Sequence, residues 1–306
     1  MFTVGRNAWY YVGLLAVAAI WGANFGFSRW ALASFDPILF TFLRFGLAVP
    51  LFFGLLWWKE GSIGVSVKAG LQLAVIGAVG VAALEIAVTY SIKYTTLANA
   101  SLLNVAPWPI FAALFAPLFL KERFTSRLAA GGAAALAGVC LIILGGEGGF
   151  DPSSDHMLGN GLALMVSVIG ALYNLACMPL MRTYSALRVS AWSIAFGSLF
   201  MAPFTAGSWA KVDWSGLGSV HYAVLAYNIL LATVAAFIIW NACMFRVGAA
   251  RANFFRYAVP LSAVIAGLVM FGETVTMWQL FGGVFMAAGL VWISTERRQP
   301  LETPAG

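Results

Sequence analysis

Long apolar stretches separated by short polar breaks run along the chain. A helix needs about 20 mainly apolar residues to cross roughly 30 Å of hydrocarbon, and about ten stretches approach that length. The pattern predicts an all-α polytopic membrane protein with ten transmembrane helices. Their predicted positions lie near residues 9–32, 37–58, 69–92, 97–120, 127–145, 158–182, 188–208, 219–245, 250–271 and 276–295.

Composition supports the same fold class. Hydrophobic residues make up 62% of the 306 residues and charged residues only 9%, which is too few to build a water-soluble surface. The first apolar stretch has no small-residue cleavage site and contains Trp21, Asn24 and Arg29, so we expect a retained helix rather than a signal peptide. All three cysteines fall inside predicted spans, which favours packing roles, and we expect no metal site and no cofactor.

The formal net charge of +6 follows a simple rule along the chain. If the amino terminus is cytoplasmic, Lys93 and Lys211 are the only lysine or arginine residues in the predicted outer loops, as the positive-inside rule requires. This asymmetry explains the basic excess without nucleic acid, and predicts a bacterial inner-membrane protein with both termini in the cytoplasm. The inner loops and tails contain Arg6, Lys59, Lys68, Lys121, Arg123, Arg127, Arg182, Arg188, Arg246, Arg251, Arg297 and Arg298.

An internal repeat appears when the chain is shifted against itself by 151 positions. The coincidences are Pro109 with Pro260, Glu122 with Glu273, Thr125 with Thr276, Gly131 with Gly282, and Gly138 with Gly289. Each copy carries five predicted spans, an odd number, so the two copies must cross the membrane in opposite directions. The predicted organisation is a first repeat at residues 1–145, a linker at 146–157, a second repeat at 158–295 and a cytoplasmic tail at 296–306.

Two motifs carry a family resemblance that covers nearly the whole chain. "WGANF" at residues 21–25 is followed by the basic Arg29, then by Asp36-Pro37 and Arg44. Together with the repeated Pro, Glu and Gly-Gly pattern, this resembles the EamA-type repeat of the drug/metabolite transporter superfamily, including its aromatic amino acid exporters. The resemblance implies two inverted five-helix repeats around a central cavity, alternating access, and export of amino acids or other small metabolites.

The chain departs from this family pattern at two places. Arg29 stands where the family more often has lysine, and Ile194 stands opposite Arg44 in the second repeat, although Asn174 matches Asn24. The polar centre is therefore asymmetric between the two halves, and the family does not indicate which half holds the substrate more tightly.

Polar and aromatic residues recur at helical spacing inside several predicted spans. Such faces avoid lipid, so we expect them to converge on the interior of the bundle or on a hydrated cavity. The candidate substrate-binding residues are Asn24, Arg44, Glu85, Tyr90, Asn104, Trp108, Asn174, Trp240, Asn241, Arg256 and Tyr257.

Structural alternatives stand beside these assignments. Arg44 and Glu85 could form an ion pair that only locks two helices together. Asn24 and Asn174 could be interhelical hydrogen-bond clasps. Glu273 precedes a predicted helix, where a carboxylate interacts favourably with the positive helix end.

An enzyme is disfavoured because the histidines, His156 and His221, lie in or beside outer loops without a catalytic or metal-binding motif. A receptor would not explain the inverted duplication.

The expected substrates are small molecules, most of all neutral aromatic amino acids. Arg44 or an asparagine pair would hold the carboxylate and Glu85 the ammonium. Trp108 and Tyr257 would contact the side chain. Bulky organic cations are the alternative, and protons are a candidate coupling ion.

Overall fold

The computed structural model describes residues 4–108, 110–112, 114–115, 126–145, 154–247 and 255–294, and within these ranges every regular element is helical. We number the helices α1 to α10 along the chain. Their bounds are α1 Val4–Ala31, α2 Pro37–Glu60, α3 Val67–Tyr94, α4 Leu97–Val105, α5 Ser126–Gly145, α6 Asp155–Leu180, α7 Ala186–Met201, α8 from Ser219 to Val247, α9 Ala258–Phe271 and α10 Met277–Ser294.

Two of these helices contain π-helical segments. The segment of α3 is Ala78–Ala83 and that of α8 is Tyr227–Ala235. A π segment shifts the backbone hydrogen bond from the fourth to the fifth preceding residue, which leaves a local bulge and often marks a functional site. Both bulges lie well inside their helices.

The all-α membrane class is confirmed by the length and apolarity of the helices. Six helices in the described ranges are long and apolar enough to cross a bilayer, and α5 and α9 contain shorter apolar stretches. Leu71, Val75 and Val79 form an exposed apolar stripe along α3, with exposed fractions between 51% and 68%. A soluble protein rarely exposes so much contiguous apolar surface, whereas lipid would cover it.

Polar breaks in the sequence set the helix starts. Asp36 caps α2 because one of its carboxylate oxygens accepts hydrogen bonds from the backbone nitrogens of Ile38 and Leu39 at 3.0 and 3.3 Å, and Pro37 occupies the first helical position. Ser66 and Thr96 cap α3 and α4 in the same way. The predicted start of a helix at residue 37 is therefore confirmed, with a physical reason for its position.

The main helix contacts cross between the two halves of the chain. α1 packs on α8 and α9, α2 on α7 and α8, α3 on α6 and α7, and α4 on α6 and α9. α5 and α10 form the most extensive pair.

Glycines allow the backbones of α5 and α10 to touch. A Cβ atom at Gly138 would lie 2.5 Å from the carbonyl oxygen of Gly282, and one at Gly282 would lie 2.7 Å from the carbonyl oxygen of Gly138. Gly289 meets the carbonyl oxygen of Gly131. Residue numbers rise on one helix as they fall on the other, so the two helices are antiparallel. Small residues of this kind let membrane helices approach closely.

The first prediction tests this glycine contact. Gly138→Leu should destabilise the protein by about 1–3 kcal/mol, since the added side chain must push α10 away. Gly54→Leu is the matched control, because Gly54 lies on an exposed face of α2 with nothing within 4 Å of an added Cβ atom. Thermal unfolding in detergent should show a lower midpoint for Gly138→Leu and an unchanged or higher one for Gly54→Leu. Equal midpoints would contradict the close contact.

Candidate substrate-binding site

Three tryptophans surround one arginine inside the helix bundle. The guanidinium carbon of Arg256 lies 4.4 Å from the ring centroid of Trp108 and 5.7 Å from those of Trp21 and Trp240. The rings come from α1, from α8 and from the segment just after α4, and Arg256 lies two residues before α9. A cation over aromatic faces is stabilised by about 0.5–2 kcal/mol, which is less than the several kcal/mol that it costs to remove an ion from water. We call these four residues the indole box.

The indole box contains polar atoms without partners. Within the described residues, Arg256 forms no salt bridge, and its buried Nε atom has no hydrogen-bond partner. The buried Nε1 atom of Trp108 and the buried Oδ1 atom of Asn24 are also unpaired there. Asn24 follows Trp21 by three residues and so shares its face of α1. A buried polar group left unpaired costs about 1–3 kcal/mol, so these atoms are suited to a polar ligand.

Hydrogen bonds fix α1 against the π segment of α8. The indole nitrogen of Trp21 donates to the carbonyl oxygen of Ala232 at 3.0 Å, and the hydroxyl of Tyr227 donates to the carbonyl oxygen of Ile20 at 2.8 Å. The hydroxyl of Ser28 donates to the side-chain oxygen of Asn228 at 3.3 Å. These bonds orient Trp21 and hold one wall of the indole box in place.

Trp108 is positioned by a glycine. Its ring lies so close to Gly170 of α6 that an added Cβ atom there would overlap three ring carbons. Tyr257, next to Arg256, donates from its hydroxyl to the carbonyl oxygen of Ala106 at 3.0 Å. These contacts fix the segment that carries Trp108 against α6 and α9.

Arg44 and Glu85 form a separate polar group. Arg44 Nη1 lies 3.6 Å from Glu85 Oε2, and Arg44 Nε donates to the hydroxyl of Thr233 at 2.9 Å. The guanidinium carbon also lies 4.7 Å from the ring centroid of Phe45. Arg44 is thus already partnered by α3 and α8, a geometry that favours the structural-pair alternative.

Other predicted site residues are scattered. Asn104 is buried, and its carbonyl oxygen accepts a hydrogen bond from Ser167. Tyr90 stacks on Tyr94 with ring centroids 5.8 Å apart, and Asn174 is exposed. The side chain of Asn241 lies outside the described part of the structure. The sequence repeat equated Asn174 with Asn24, but the two side chains have different environments.

Arg29 and Glu273 form a cluster at the carboxyl end of α1. Arg29 pairs with the carboxylate of Glu273 and donates to the carbonyl oxygens of Ile92 and Thr95, the former at 3.0 Å. Glu273 Oε2 accepts from the backbone nitrogen of Leu97 at 2.8 Å. We call these five residues the Arg29–Glu273 cluster.

The Arg29–Glu273 cluster explains why α1 tolerates an arginine, and it refines one interpretation. Glu273 does bind a helix amino terminus, but that of α4 rather than of the following helix, α10. Sequence reasoning missed the pairing with Arg29, since 244 positions separate the two residues and no local pattern connects them.

A second cluster joins the loop after α2 to the start of α7. Arg188 Nη2 lies 2.8 Å from Glu60 Oε2 and donates to the carbonyl oxygen of Ser62 at 2.8 Å. Trp192 donates from its ring nitrogen to the carbonyl oxygen of Ile63 at 2.8 Å. We call these residues the Glu60–Arg188 cluster.

Comparison with known proteins shows similarity over nearly the whole chain. An uncharacterized transporter of Archaeoglobus fulgidus is 28% identical over 280 residues, which cover 92% of this chain and 95% of the relative. A probable terminal-alkyne amino-acid exporter of Streptantibioticus cattleyicolor is 28% identical over 76% of this chain and 77% of its own. A crystal structure of another protein, 20% identical, matches with a TM-score of 0.62 over 95% of this chain and 99% of that one.

The family match covers both halves of the chain. Residues 8–144 and residues 157–295 each match the EamA-like transporter family, as the sequence motifs predicted. The relatives are named transporters, in agreement with the expectation that this protein is not an enzyme. The chain belongs to the EamA-like transporter family and is a multi-pass membrane transporter.

Proposed function

We propose that this transporter exports small neutral amino acids, aromatic ones preferentially, across a bacterial inner membrane. The observation that carries the proposal is that three indole rings, from α1, α8 and the segment after α4, surround Arg256, whose buried Nε atom is unpaired. Indole faces suit the side chain of an aromatic or unsaturated amino acid. The relative in Streptantibioticus cattleyicolor, named a probable amino-acid exporter, supports the same substrate class.

Organic cations are the weaker candidate. An aromatic enclosure binds cations well when it is vacant, but here the guanidinium of Arg256 already lies against the rings. A second cation would have to enter beside it and be repelled. Glu85, the acid that would attract a cation, faces Arg44.

The proposed architecture is ten transmembrane helices in two inverted five-helix repeats, with the domain bounds predicted from the sequence. In such a repeat α1 corresponds to α6, α9 to α4 and α8 to α3. The contacts of α1 with α9 and α8 then predict contacts of α6 with α4 and α3, and both of these are present. The repeat offset of 151 residues places the π segment of α3 within that of α8. The antiparallel glycine contact of α5 with α10 also fits an inverted repeat.

Alternating access is the proposed mechanism of transport. The Arg29–Glu273 cluster joins the end of α1 and the start of α4 to the loop before α10. The Glu60–Arg188 cluster joins the end of α2 to the start of α7. Because α2 begins near the end of α1, the two clusters lie toward opposite ends of α2. With both termini in the cytoplasm, the Arg29–Glu273 cluster lies on the outer side. Its polar contacts would close the cavity toward the outside and break when the cavity opens there.

A transport experiment tests the substrate class. Purified protein in liposomes should take up labelled phenylalanine and tryptophan, and unlabelled substrate inside should accelerate uptake, because an alternating-access carrier returns faster when loaded. A labelled organic cation is the comparison probe, and an imposed pH gradient tests proton coupling. Transport of the cation without any amino acid would favour the alternative substrate class.

The orientation is tested by two cysteine variants at matched glycines. Gly207, between α7 and α8, and Gly64, between α2 and α3, both have open space around an added Cβ atom. In intact cells, a membrane-impermeant maleimide should label Gly207→Cys but label Gly64→Cys only after the membrane is permeabilised. The reverse pattern would overturn the proposed orientation.

The role of Arg44 and Glu85 is tested by a mutant cycle. If the pair is structural, Arg44→Gln and Glu85→Gln should each cost about 3–5 kcal/mol of stability, and the double variant should recover much of it. Glu60→Gln is the matched control, since an ion pair at the end of a helix contributes about 1 kcal/mol or less and Arg188 keeps its hydrogen bonds to Ser62. Thermal unfolding and uptake are both measured. Single variants that fold normally but lose transport would instead assign Arg44 and Glu85 to the binding site.

A further inference from the structure

The unpaired donors of the indole box define a site for one chemical group. We infer that Arg256 and Trp108 bind the carboxylate of the substrate, so that the transporter selects free acids over their amides or esters. This inference deepens the proposed export of amino acids and rests on it. It also moves the carboxylate contact away from Arg44 and from the asparagine pair, the two alternatives that the sequence offered.

Arg44 is unsuited to this role because it already has partners in the protein. Its Nε atom donates to Thr233, and its Nη1 atom lies 3.6 Å from the carboxylate of Glu85. A substrate carboxylate at Arg44 would have to displace or lie beside a second carboxylate, and the two like charges would repel. The protein therefore neutralises Arg44 by itself.

Arg256 has the opposite environment. Within the described residues no carboxylate forms an ion pair with it, and its buried Nε atom is unpaired. A buried charge without a counter-charge is costly, and an anionic ligand removes that cost by charge-assisted hydrogen bonds. Arg256 thus binds an anion more favourably than a partnered arginine would.

Trp108 supplies a second donor beside the first. The guanidinium of Arg256 lies against the ring of Trp108, and the Nε1 atom of that ring is buried and unpaired. A carboxylate has two oxygens and can accept one hydrogen bond from each side chain. Gly170 leaves the space that keeps the Trp108 ring in this position.

Asn24 completes the recognition of an α-amino acid. Its Oδ1 atom is a buried, unpaired acceptor one helical turn from Trp21 on α1. An ammonium group is a donor and fits this acceptor, whereas a carboxylate does not. The charge favours a monoanionic carboxylate over a phosphate, which would bring up to two negative charges to a single arginine.

The test compares binding of phenylalanine with that of phenylalaninamide to purified protein. Wild-type protein should bind the free acid and bind the amide far more weakly. Arg256→Gln should weaken binding of the acid by roughly tenfold to a hundredfold and leave binding of the amide nearly unchanged. Arg256→Lys keeps the charge but removes the Nε donor, so it provides a second variant if Arg256→Gln fails to fold.

Two tryptophan variants form the matched control. Trp108→Phe keeps an aromatic ring and removes the unpaired donor, so it should weaken binding of the acid by several-fold but spare the amide. Trp240→Phe makes the same change elsewhere in the indole box and should affect the acid and the amide equally. If Trp108→Phe and Trp240→Phe show the same ratio of acid binding to amide binding, Trp108 is not a carboxylate ligand.

A third probe, 3-phenylpropanoate, separates failure of the inference from failure of the proposed function. If this acid binds in an Arg256-dependent way but no amino acid binds or is transported, the carboxylate site stands and amino-acid export is wrong. If phenylalanine binds folded Arg256→Gln as it binds the wild type, the carboxylate site is wrong and amino-acid export stands. If neither acid binds the wild type, both are wrong.

Discussion

A charged side chain inside a bilayer must find its partner within the protein, because hydrocarbon provides no compensating group. At the bilayer centre an unpaired charge costs at least about 2.5–3.5 kcal/mol. Arg29 meets this constraint with a carboxylate and two backbone carbonyl oxygens, and Arg44 meets it with Glu85 and Thr233. Each solution joins helices from different parts of the chain, so the same contacts that neutralise the charges also determine which helices pack together.

Backbone groups obey the same constraint and also shape the bundle. The π segment of α8 brings the carbonyl oxygen of Ala232 to the ring nitrogen of Trp21, and Thr233 to Arg44. One irregular helix turn thereby supports both the indole box and the Arg44–Glu85 pair. Between α5 and α10, glycines bring the backbones together by removing side chains.

The sequence predicted those features that depend on local patterns. Apolar length and the Asp36-Pro37 dipeptide place α1 and α2 close to where the structure has them. The Arg44–Glu85 contact could also be predicted as an alternative, because two opposite charges in neighbouring apolar helices have few other partners.

The features that the sequence could not provide depend on distant contacts. No local pattern connects Arg29 with Glu273, and no residue type marks the π segments. Repeat alignment relates Asn24 to Asn174, but it carries no information about how far each helix turns toward lipid, and Asn174 is exposed. Sequence patterns therefore predict which spans contain polar and aromatic residues, but not which of those residues lie together.

Arg256 shows why an incompletely satisfied charge suits a transporter. If a fixed carboxylate paired with it, the site would be stable when empty and would gain little from an anionic substrate. Aromatic faces stabilise the guanidinium only in part, which makes the empty site tolerable while its Nε atom remains available. In the proposed site the substrate supplies the missing counter-charge, and an anion is favoured there because no described carboxylate neutralises Arg256. Arg29 and Arg44 hold helices together because their partners are built in, whereas Arg256 in the proposed site is left for a ligand.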